Sequence, residues 1–294
     1  MTGHCRRLVP SLQSDMISPM SVPTDALDLN AIAAQVVSSL ASHRQIPPFS
    51  HSLGEPSIAD AYRLTALLRA AFEARGEKIT GRKIGFTNRQ MWAAHGVKAP
   101  IWGYCTDRTT FELDTTPVQH VSEFAEPRIE PEIMFGLGRA PSPQMDEADL
   151  LGCIDWIALG YEMVQSIFPG WKFAAFDTIA ANALHGTLLV GKRHAIAPRK
   201  EAWRNELAGF SVELSCNGRP SQTGGGAFVL DCPLLALRHL VELFADDPHN
   251  PPLRAGEIIS TGTLTLATPV SADETWTTTV PGIPLENIAL RLEA

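Results

Sequence analysis

Residues 128 to 137, RIEPEIMFGL, form an apolar run typical of a buried strand, yet they contain two carboxylates, Glu130 and Glu132. Successive side chains of a strand point to opposite faces, so these two acids share one face with Met134. The rise of a strand places their Cα atoms about 6 to 7 Å apart. Two ionised carboxylates this close in a partly buried place repel each other unless a cation offsets their charge.

A third acid, Glu162, lies in a second apolar stretch, LGYEMVQSI, with no Lys or Arg within nine residues on either side. Three carboxylates in apolar strands are the ligand set of a hard divalent cation such as Mg²⁺ or Mn²⁺. The alternative is that Glu130 and Glu132 face solvent on an amphipathic strand and that Glu162 is a surface acid. Spacing alone leaves both interpretations open.

Composition excludes several classes of protein. The chain has 294 residues, of which 45% are hydrophobic and 19% charged, so wholesale disorder is excluded. A net charge of −8 argues against a nucleic-acid partner, and no apolar run reaches the roughly 18 to 20 residues of a membrane span. The five cysteines are scattered and odd in number, without a CxxC pair, which favours a reducing cytoplasm over a disulfide framework.

The order of elements predicts an α+β fold. Helical spacing recurs over 27–40 and again over 57–76, with Ser57 as N-cap and Gly76 as stop. Shorter helices are expected over 87–96, over 146–160, after Asp177 and after Asp231, among several strands. Without a regular βαβ rhythm, this order favours a mixed, curled sheet. We expect a poorly ordered lead over 1–25, a smaller helical N-terminal region over 26–79, and a β-rich metal-binding catalytic domain over 80–294.

Six short motifs occur in an order typical of one family. They are GRKIGFT (81–87), GYCTD (103–107), RIEPEIMFGLG (128–138), YEMV (161–164), WKFAAFDTIAANA (171–183) and LRAGEIISTGTLTLATPV (253–270). Together they resemble the hydratase/decarboxylase family typified by 2-keto-4-pentenoate hydratase and 4-oxalocrotonate decarboxylase, within the fumarylacetoacetate hydrolase-like superfamily. The resemblance covers residues 50 to 294 and implies the β-roll of the fumarylacetoacetate hydrolase C-terminal domain.

The resemblance also implies roles for particular residues. The metal would be Mg²⁺ or Mn²⁺, and the family likeness places its ligands at the three acids already described. The catalytic positions that match are Lys83, Lys172 and Asp177, although Asp177 could instead serve only as a helix N-cap and Lys83 as a solvated lysine. The matching substrate-binding positions are Thr87, Phe168, Thr261 and Gly262.

The chemistry expected of such a site begins with a 2-oxo acid. Its carboxylate and C2 oxygen chelate a divalent cation, which stabilises the enolate that forms at C2. We expect a lyase of aromatic meta-cleavage catabolism that hydrates a 2-hydroxy-2,4-dienoate. It would be a cytoplasmic homo-oligomer that takes a small-molecule 2-oxo acid and binds neither nucleic acid nor membrane.

Three alternatives stay open. A 4-oxalocrotonate-type decarboxylase needs a cation at the far end of the pocket, for which the candidates are Arg82, Arg89 and His185, whereas the aromatic residues Phe168, Trp171 and Phe173 favour an apolar substrate tail. A C–C bond hydrolase needs a general base, for which the candidates are His95, His185 and Glu112. A non-catalytic partner subunit would keep the fold and lose the metal ligands.

Overall fold

A computed structural model describes residues 27–294 apart from 54–55, 90–91, 93–96 and 98. The predicted lead over 1–25, most of the predicted helix over 87–96 and the candidate base His95 therefore lie outside the described residues.

The N-terminal part is helical, as its apolar spacing predicts. The carboxylate of Asp28 accepts hydrogen bonds from two backbone N–H groups at the start of the first helix, and the hydroxyl of Ser57 accepts one from Asp60 at 3.0 Å at the start of the long third helix. Gly76, at φ +81°, follows the end of that helix. The described α-helices are α1 (Leu29–Ser42), α2 (Ser50–Leu53), α3 (Ile58–Ala74), α4 (Glu147–Leu151), α5 (Ala175–Ala180), α6 (Lys200–Gly209) and α7 (Pro233–Ala245).

The remainder is dominated by two sheets. The described strands are β1 (Ile79–Gly85), β2 (Ile101–Thr106), β3 (Thr110–Glu112), β4 (Val118–His120), β5 (Arg128–Leu137), β6 (Ile154–Val164), β7 (His185–Val190), β8 (His194–Ala195), β9 (Ser211–Cys216), β10 (Gln222–Gly225), β11 (Ile258–Thr263), β12 (Thr268–Pro269), β13 (Thr275–Thr279) and β14 (Ile288–Glu293). The larger sheet has the order β2-β1-β11-β5-β6-β7-β3, with β12 beside β5 and β8 beside β6, and the smaller one has the order β10-β9-β13-β14-β4.

The larger sheet is mixed. Strands β1 and β11 pair in parallel, as do β3 and β7, whereas β5 is antiparallel to both of its long neighbours, β11 and β6. The predicted α+β class with a mixed sheet is confirmed. Since β5 and β6 are central, both of their faces are buried along most of their length.

One apolar core joins the helices to the larger sheet. Buried side chains of α1 and α3, such as Val36 and Leu64, belong to the same cluster as Ile133 and Phe135 of β5. The helical region expected over 26–79 therefore packs on the sheet, and its boundary stays a prediction. In the described part of the chain, no helix has the length and apolarity needed to span a membrane.

The helix expected over 146–160 is wrong beyond its first turns. Helix α4 ends at Leu151, and strand β6 begins at Ile154 after Gly152 and Cys153. Both faces of β6 are covered, so its apolar residues do not alternate with polar ones, and a continuous apolar run does not distinguish a buried strand from a buried helix.

Two expected helix caps are also wrong. Helix α7 begins after Cys232, while Asp231, at φ +74°, accepts a 2.6 Å hydrogen bond from Arg89. Asp177 is the third residue of α5, and Ala174 occupies the cap position. Acids are favoured both at the cap and in the first turn of a helix, so the sequence does not separate the two positions.

Candidate metal centre

Strands β5 and β6 bring the three predicted acids together. Glu130 and Glu162 are directly paired across the two strands, and Glu132 follows Glu130 on the same face. Each residue offers one carboxylate oxygen, and these oxygens all lie within 4.8 Å of one another. Glu132 and Glu162 are 0% exposed and Glu130 is half-buried, which rules out the solvent-facing alternative.

An irregularity in β11 orients Glu132. The pairing register of β11 with β5 shifts between Ser260 and Thr263. In this segment the Ser260 hydroxyl donates a hydrogen bond to Oε2 of Glu132. The backbone N–H of Gly262 donates a second one to the same oxygen at 2.9 Å. Gly262 has φ +104°, and a Cβ atom at this position would lie 2.0 Å from the hydroxyl oxygen of Thr87. A glycine is therefore required here, both by backbone conformation and by space.

Lys83 is a buried cation beside the acids. It lies on β1, and its Nζ forms an ion pair with Oε2 of Glu162 at 3.1 Å, with the two side chains 3% and 0% exposed. Burial alone would lower the pKa of Lys83, but the charges of Glu162, Glu130 and Glu132 outweigh burial and raise it. Lys83 is therefore not a solvated lysine, and it stays charged.

His185, at the start of β7, supports Glu162 from behind. Its Nδ1 lies 2.7 Å from Oε1 of Glu162 and its Nε2 lies 2.9 Å from the hydroxyl of Thr109. Burial lowers the pKa of His185, but its contacts with Cys105 and Glu162 outweigh burial and raise the pKa to about 9. Burial likewise raises the pKa of Glu162, yet Lys83 and His185 outweigh it and the net pKa is lowered.

The other two acids are left with excess negative charge. Burial raises the pKa of Glu130 to about 7, with Lys83 opposing and Glu162 adding to the rise. The pKa of Glu132 is raised well above its usual range by burial and by the charges of Glu162 and Glu130. Lys83 and His185 together carry fewer charges than the three carboxylates, and Oε1 of Glu132 is buried without a hydrogen-bond partner among the described residues. These oxygen donors and their uncompensated charge fit a divalent cation of the Mg²⁺ or Mn²⁺ type.

A cavity of about 230 Å³ lies beside Glu130. Lys83 and Glu130 contribute to its polar wall, while much of the rest is apolar. The lining residues are Lys83, Ile84, Gly85, Phe86, Thr87, Asn88, Ile101, Arg128, Glu130, Val164, Trp171, Ala183, Leu184, Thr263, Thr265, Leu266 and Ala267. A small organic acid with an apolar carbon chain matches a cavity that combines a carboxylate, a lysine and apolar walls.

The predicted substrate-binding residues are only partly brought together. Thr87 lines the cavity, whereas Gly262 contacts Glu132 rather than the cavity itself. Thr261 is buried and donates to the backbone oxygen of Ile133 at 2.9 Å. Phe168 is buried away from the cavity, edge-on to the Phe49 ring at a centroid distance of 5.9 Å. A role for Phe168 in substrate binding stays a prediction.

Two of the predicted catalytic residues lie outside the cavity wall. Lys172 is exposed and does not line the cavity. Asp177 is buried, and its carboxylate accepts hydrogen bonds from the backbone N–H and the hydroxyl of Ser50, at 3.0 and 2.6 Å, and from the N–H of Ala174, at 2.8 Å. Asp177 thus connects α5 to α2, and catalytic roles for both residues stay predictions from the resemblance.

The cations considered for the far end of the pocket lie elsewhere. Arg82 is fully buried on the opposite face of β1 from Lys83, 3.1 Å from Oε2 of Glu257 and 4.1 Å above the Tyr104 ring. Arg89 is exposed and pairs with Asp231.

The other candidates also lie apart from the cavity. Of the aromatic residues proposed for an apolar tail, only Trp171 lines the cavity, while Phe173 does not. Glu112 forms an exposed ion pair with Arg193, and His185 lines a different cavity.

Arg128 is the functional candidate that sequence reasoning missed. It lines the cavity, and its guanidinium lies 4.0 Å from the centre of the Trp171 ring. The signal was present, because Arg128 precedes Glu130 by two residues and so shares its strand face.

The sequence and the fold match known proteins. A family model described as fumarylacetoacetate (FAA) hydrolase C-terminal matches residues 78–286. A 2-hydroxyhexa-2,4-dienoate hydratase of Comamonas testosteroni is 29% identical over 246 residues, which cover 83% of this chain and 90% of the relative. A 2-keto-4-pentenoate hydratase of Paraburkholderia xenovorans is 30% identical over 234 residues, covering 79% and 83% respectively.

A solved structure matches over nearly the whole length. The 4-oxalocrotonate decarboxylase of Pseudomonas putida G7, in complex with magnesium and adipate, superposes with a TM-score of 0.81 at 27% identity, covering 90% of this chain and 97% of that one. The resemblance carried by the six motifs is thereby confirmed.

Proposed function

Because the chain belongs to the fumarylacetoacetate hydrolase family, we propose that it is a divalent-metal-dependent lyase that hydrates a 2-hydroxy-2,4-dienoate to a 4-hydroxy-2-oxo acid. The observation that carries this proposal is the cluster of three carboxylates within 4.8 Å beside a largely apolar cavity. Relatives that share about 29 to 30% identity are named as hydratases of such substrates.

The metal would be held by Glu130, Glu132 and Glu162, in keeping with the magnesium bound by the similar decarboxylase. When bound, it supplies Lewis-acid stabilisation of the negative charge that develops on the C2 oxygen of a chelated 2-oxo acid. Ser260 and Gly262 keep Oε2 of Glu132 in place.

Lys83 supplies the second positive charge of the site. Its Nζ lies 3.1 Å from Glu162 and Lys83 lines the cavity, so the ammonium group can offset charge on the dienolate and donate a hydrogen bond to it. The apolar walls formed by Ile84, Ile101 and Leu184 exclude bulk water from the carbon chain and strengthen these electrostatic interactions.

A second candidate is decarboxylation of a 4-oxalocrotonate-type 2-oxo acid. It is supported by the TM-score of 0.81 to a 4-oxalocrotonate decarboxylase, and it uses the same enolate. C–C bond hydrolysis has less support, because Glu112 and His185, its described candidate bases, do not line the cavity.

The test follows the ultraviolet absorbance of a 2-hydroxy-2,4-dienoate with Mg²⁺ or with EDTA, and in parallel CO₂ release from 4-oxalocrotonate. We expect Mg²⁺-dependent loss of absorbance, abolished in Glu132→Gln and retained in the control Glu213→Gln, which alters an exposed strand acid of the smaller sheet. CO₂ release without hydration would establish the second candidate. Absence of Mg²⁺ binding in a calorimetric titration would instead revive the non-catalytic partner subunit.

We also propose that the protein acts in the cytoplasm as a homo-oligomer, as the cysteine pattern and the family resemblance imply. Size-exclusion chromatography with light scattering measures the oligomeric state, and a monomer would contradict that part of the proposal.

A further inference from the structure

Each of the two fully buried acids has one carboxylate oxygen held by hydrogen bonds and the other left without one. Oε2 of Glu132 accepts two hydrogen bonds from strand β11, and Oε1 of Glu162 lies 2.7 Å from Nδ1 of His185. In the described part of the chain, Oε1 of Glu132 and Oε2 of Glu162 are buried without a hydrogen-bond partner. Oε2 of Glu162 instead faces the Lys83 ammonium at 3.1 Å.

The groups that hold these oxygens come from irregular positions in the sheet. Strand β11 shifts its register against β5 between Ser260 and Thr263, and β7 shifts its register against β6 opposite Met163 and Val164. The shift in β7 falls at Gly186, where a Cβ atom would lie 2.4 Å from the backbone oxygen of Met163. Irregular strand positions redirect side chains and backbone groups beside active sites. Here each of them supplies donors to one acid.

The imidazole of His185 is held at both of its nitrogens. Nε2 lies 2.9 Å from the hydroxyl of Thr109, and the His185 side chain is 2% exposed. A hydroxyl can either donate to Nε2 or accept from it, so this contact holds the ring in one orientation whatever its protonation state. The Glu162 carboxylate therefore cannot turn without leaving a buried donor unpaired, which is costly.

A carboxylate with one oxygen held in this way offers a cation only its other oxygen. Mg²⁺ requires a near-ideal octahedron of oxygens at short distances, which single carboxylate oxygens supply. Ca²⁺ takes about six to eight oxygens in a flexible arrangement and often binds both oxygens of a carboxylate. Two buried acids that are each restricted to one oxygen therefore match the smaller ion.

We propose that His185, held by Thr109, is a positioning residue that restricts Glu162 to binding through one oxygen and thereby favours Mg²⁺ over Ca²⁺. Ser260 and the backbone of Gly262 restrict Glu132 in the same way. The inference rests on the proposed divalent-metal site and adds which ion the surroundings of that site select.

The test measures the affinities of the purified protein for Mg²⁺ and for Ca²⁺ by calorimetric titration, without substrate. His185→Leu removes the donor to Glu162, and the Mg²⁺ affinity should fall about tenfold to a hundredfold. The Ca²⁺ affinity should fall less, because the released carboxylate can offer both oxygens, so the ratio of Mg²⁺ to Ca²⁺ affinity should drop about tenfold. His185→Asn, whose side-chain amide can donate from the position of Nδ1, should restore the wild-type ratio.

His194→Leu serves as the matched control, because His194 of β8 pairs with Ile157, nearer the other end of β6 from Glu162. Both affinities should stay unchanged in this variant. Thr109→Val and Ser260→Ala should shift the ratio in the same direction as His185→Leu, by a smaller factor. These two variants keep the inference testable if His185→Leu does not fold.

The ratio of the two affinities separates positioning from a structural role, because a general loss of stability lowers both affinities together. Equal losses of Mg²⁺ and Ca²⁺ affinity in His185→Leu and Thr109→Val would overturn the inference and leave the proposed function standing. An equal shift of the ratio in His194→Leu would overturn it as well. Failure of the wild type to bind either ion would overturn both the inference and the proposed metal-dependent function.

Discussion

The ion pair between Lys83 and Glu162 is expected to stabilise the metal-free protein strongly. Its two charged atoms lie 3.1 Å apart, with the side chains 3% and 0% exposed. Lys83→Met keeps the unbranched shape and removes the charge. The variant leaves Glu162, Glu130 and Glu132 without this cation in a largely buried place.

The size of the loss follows from the geometry. Removing one partner of a buried ion pair costs about 3 to 5 kcal/mol. We expect the lower end, about 3 kcal/mol, because Glu162 keeps its contact with His185 at 2.7 Å. For a protein of this size the free-energy loss corresponds to a fall in Tm of roughly 6 to 12 °C.

Denaturant unfolding in EDTA and again in saturating Mg²⁺ measures this loss of unfolding free energy. A bound divalent cation offsets the acids, so the destabilisation in Mg²⁺ should be smaller than in EDTA. By linkage, Mg²⁺ must then bind more tightly to Lys83→Met than to the wild type, even though we expect the variant to be inactive.

The matched control is Arg89→Met, which removes an ion pair whose side chains are 54% and 68% exposed and should change the unfolding free energy little. If Lys83→Met is as stable as the wild type in EDTA, or if Mg²⁺ does not reduce the difference, the reasoning about the charge balance of the site is wrong.

Three further variants separate metal binding from stability. Gly262→Ala should weaken Mg²⁺ binding in a calorimetric titration. The added Cβ would clash with Thr87, and the residue would have to move the backbone N–H that donates to Glu132. Unchanged Mg²⁺ affinity would contradict this prediction. Ser50→Ala removes the 2.6 Å hydrogen bond to Asp177 and should lower the unfolding free energy by about 1 to 3 kcal/mol. The Mg²⁺ affinity should stay unchanged. A loss of Mg²⁺ affinity in this variant would show that Asp177 influences the metal site. Ser57→Ala removes the cap of α3 and should cost about 1 kcal/mol in thermal unfolding, and no change in Tm would show that the cap contributes nothing.

The acids could be placed from sequence because strand alternation is a local rule. It put Glu130 and Glu132 on one face, and the third acid, Glu162, stood out as a charge in an apolar run. The same alternation extended by one step reaches Arg128. Local rules gave no information on the contact between Trp171 and Arg128, because it joins segments far apart in the chain.

Other expectations failed where one pattern serves two structures. The apolar residues of β6 fit a helix as well as a buried strand until pairing with β5 decides between them. The sequence offered Arg82, among other cations, as a candidate for the far end of the substrate pocket. The paired strands show that Arg82 faces Trp102 and Tyr104, while Lys83 faces the acids. Long-range packing decides that β6 is a strand and which side chains Arg82 contacts, and no local sequence pattern contains that information.

The adjacent cations Arg82 and Lys83 also help to select the native register of β1. Slipping β1 by one residue against β11 would exchange the two side chains between faces, placing the broad guanidinium against the carboxylates and the ammonium among aromatic rings. Each would lose its partner, Glu257 or Glu162, in a dry interior. A one-residue slip of β1 therefore breaks two buried ion pairs, one on each face of the strand. Both pairs favour the native register, including the pair of Lys83 that belongs to the metal site.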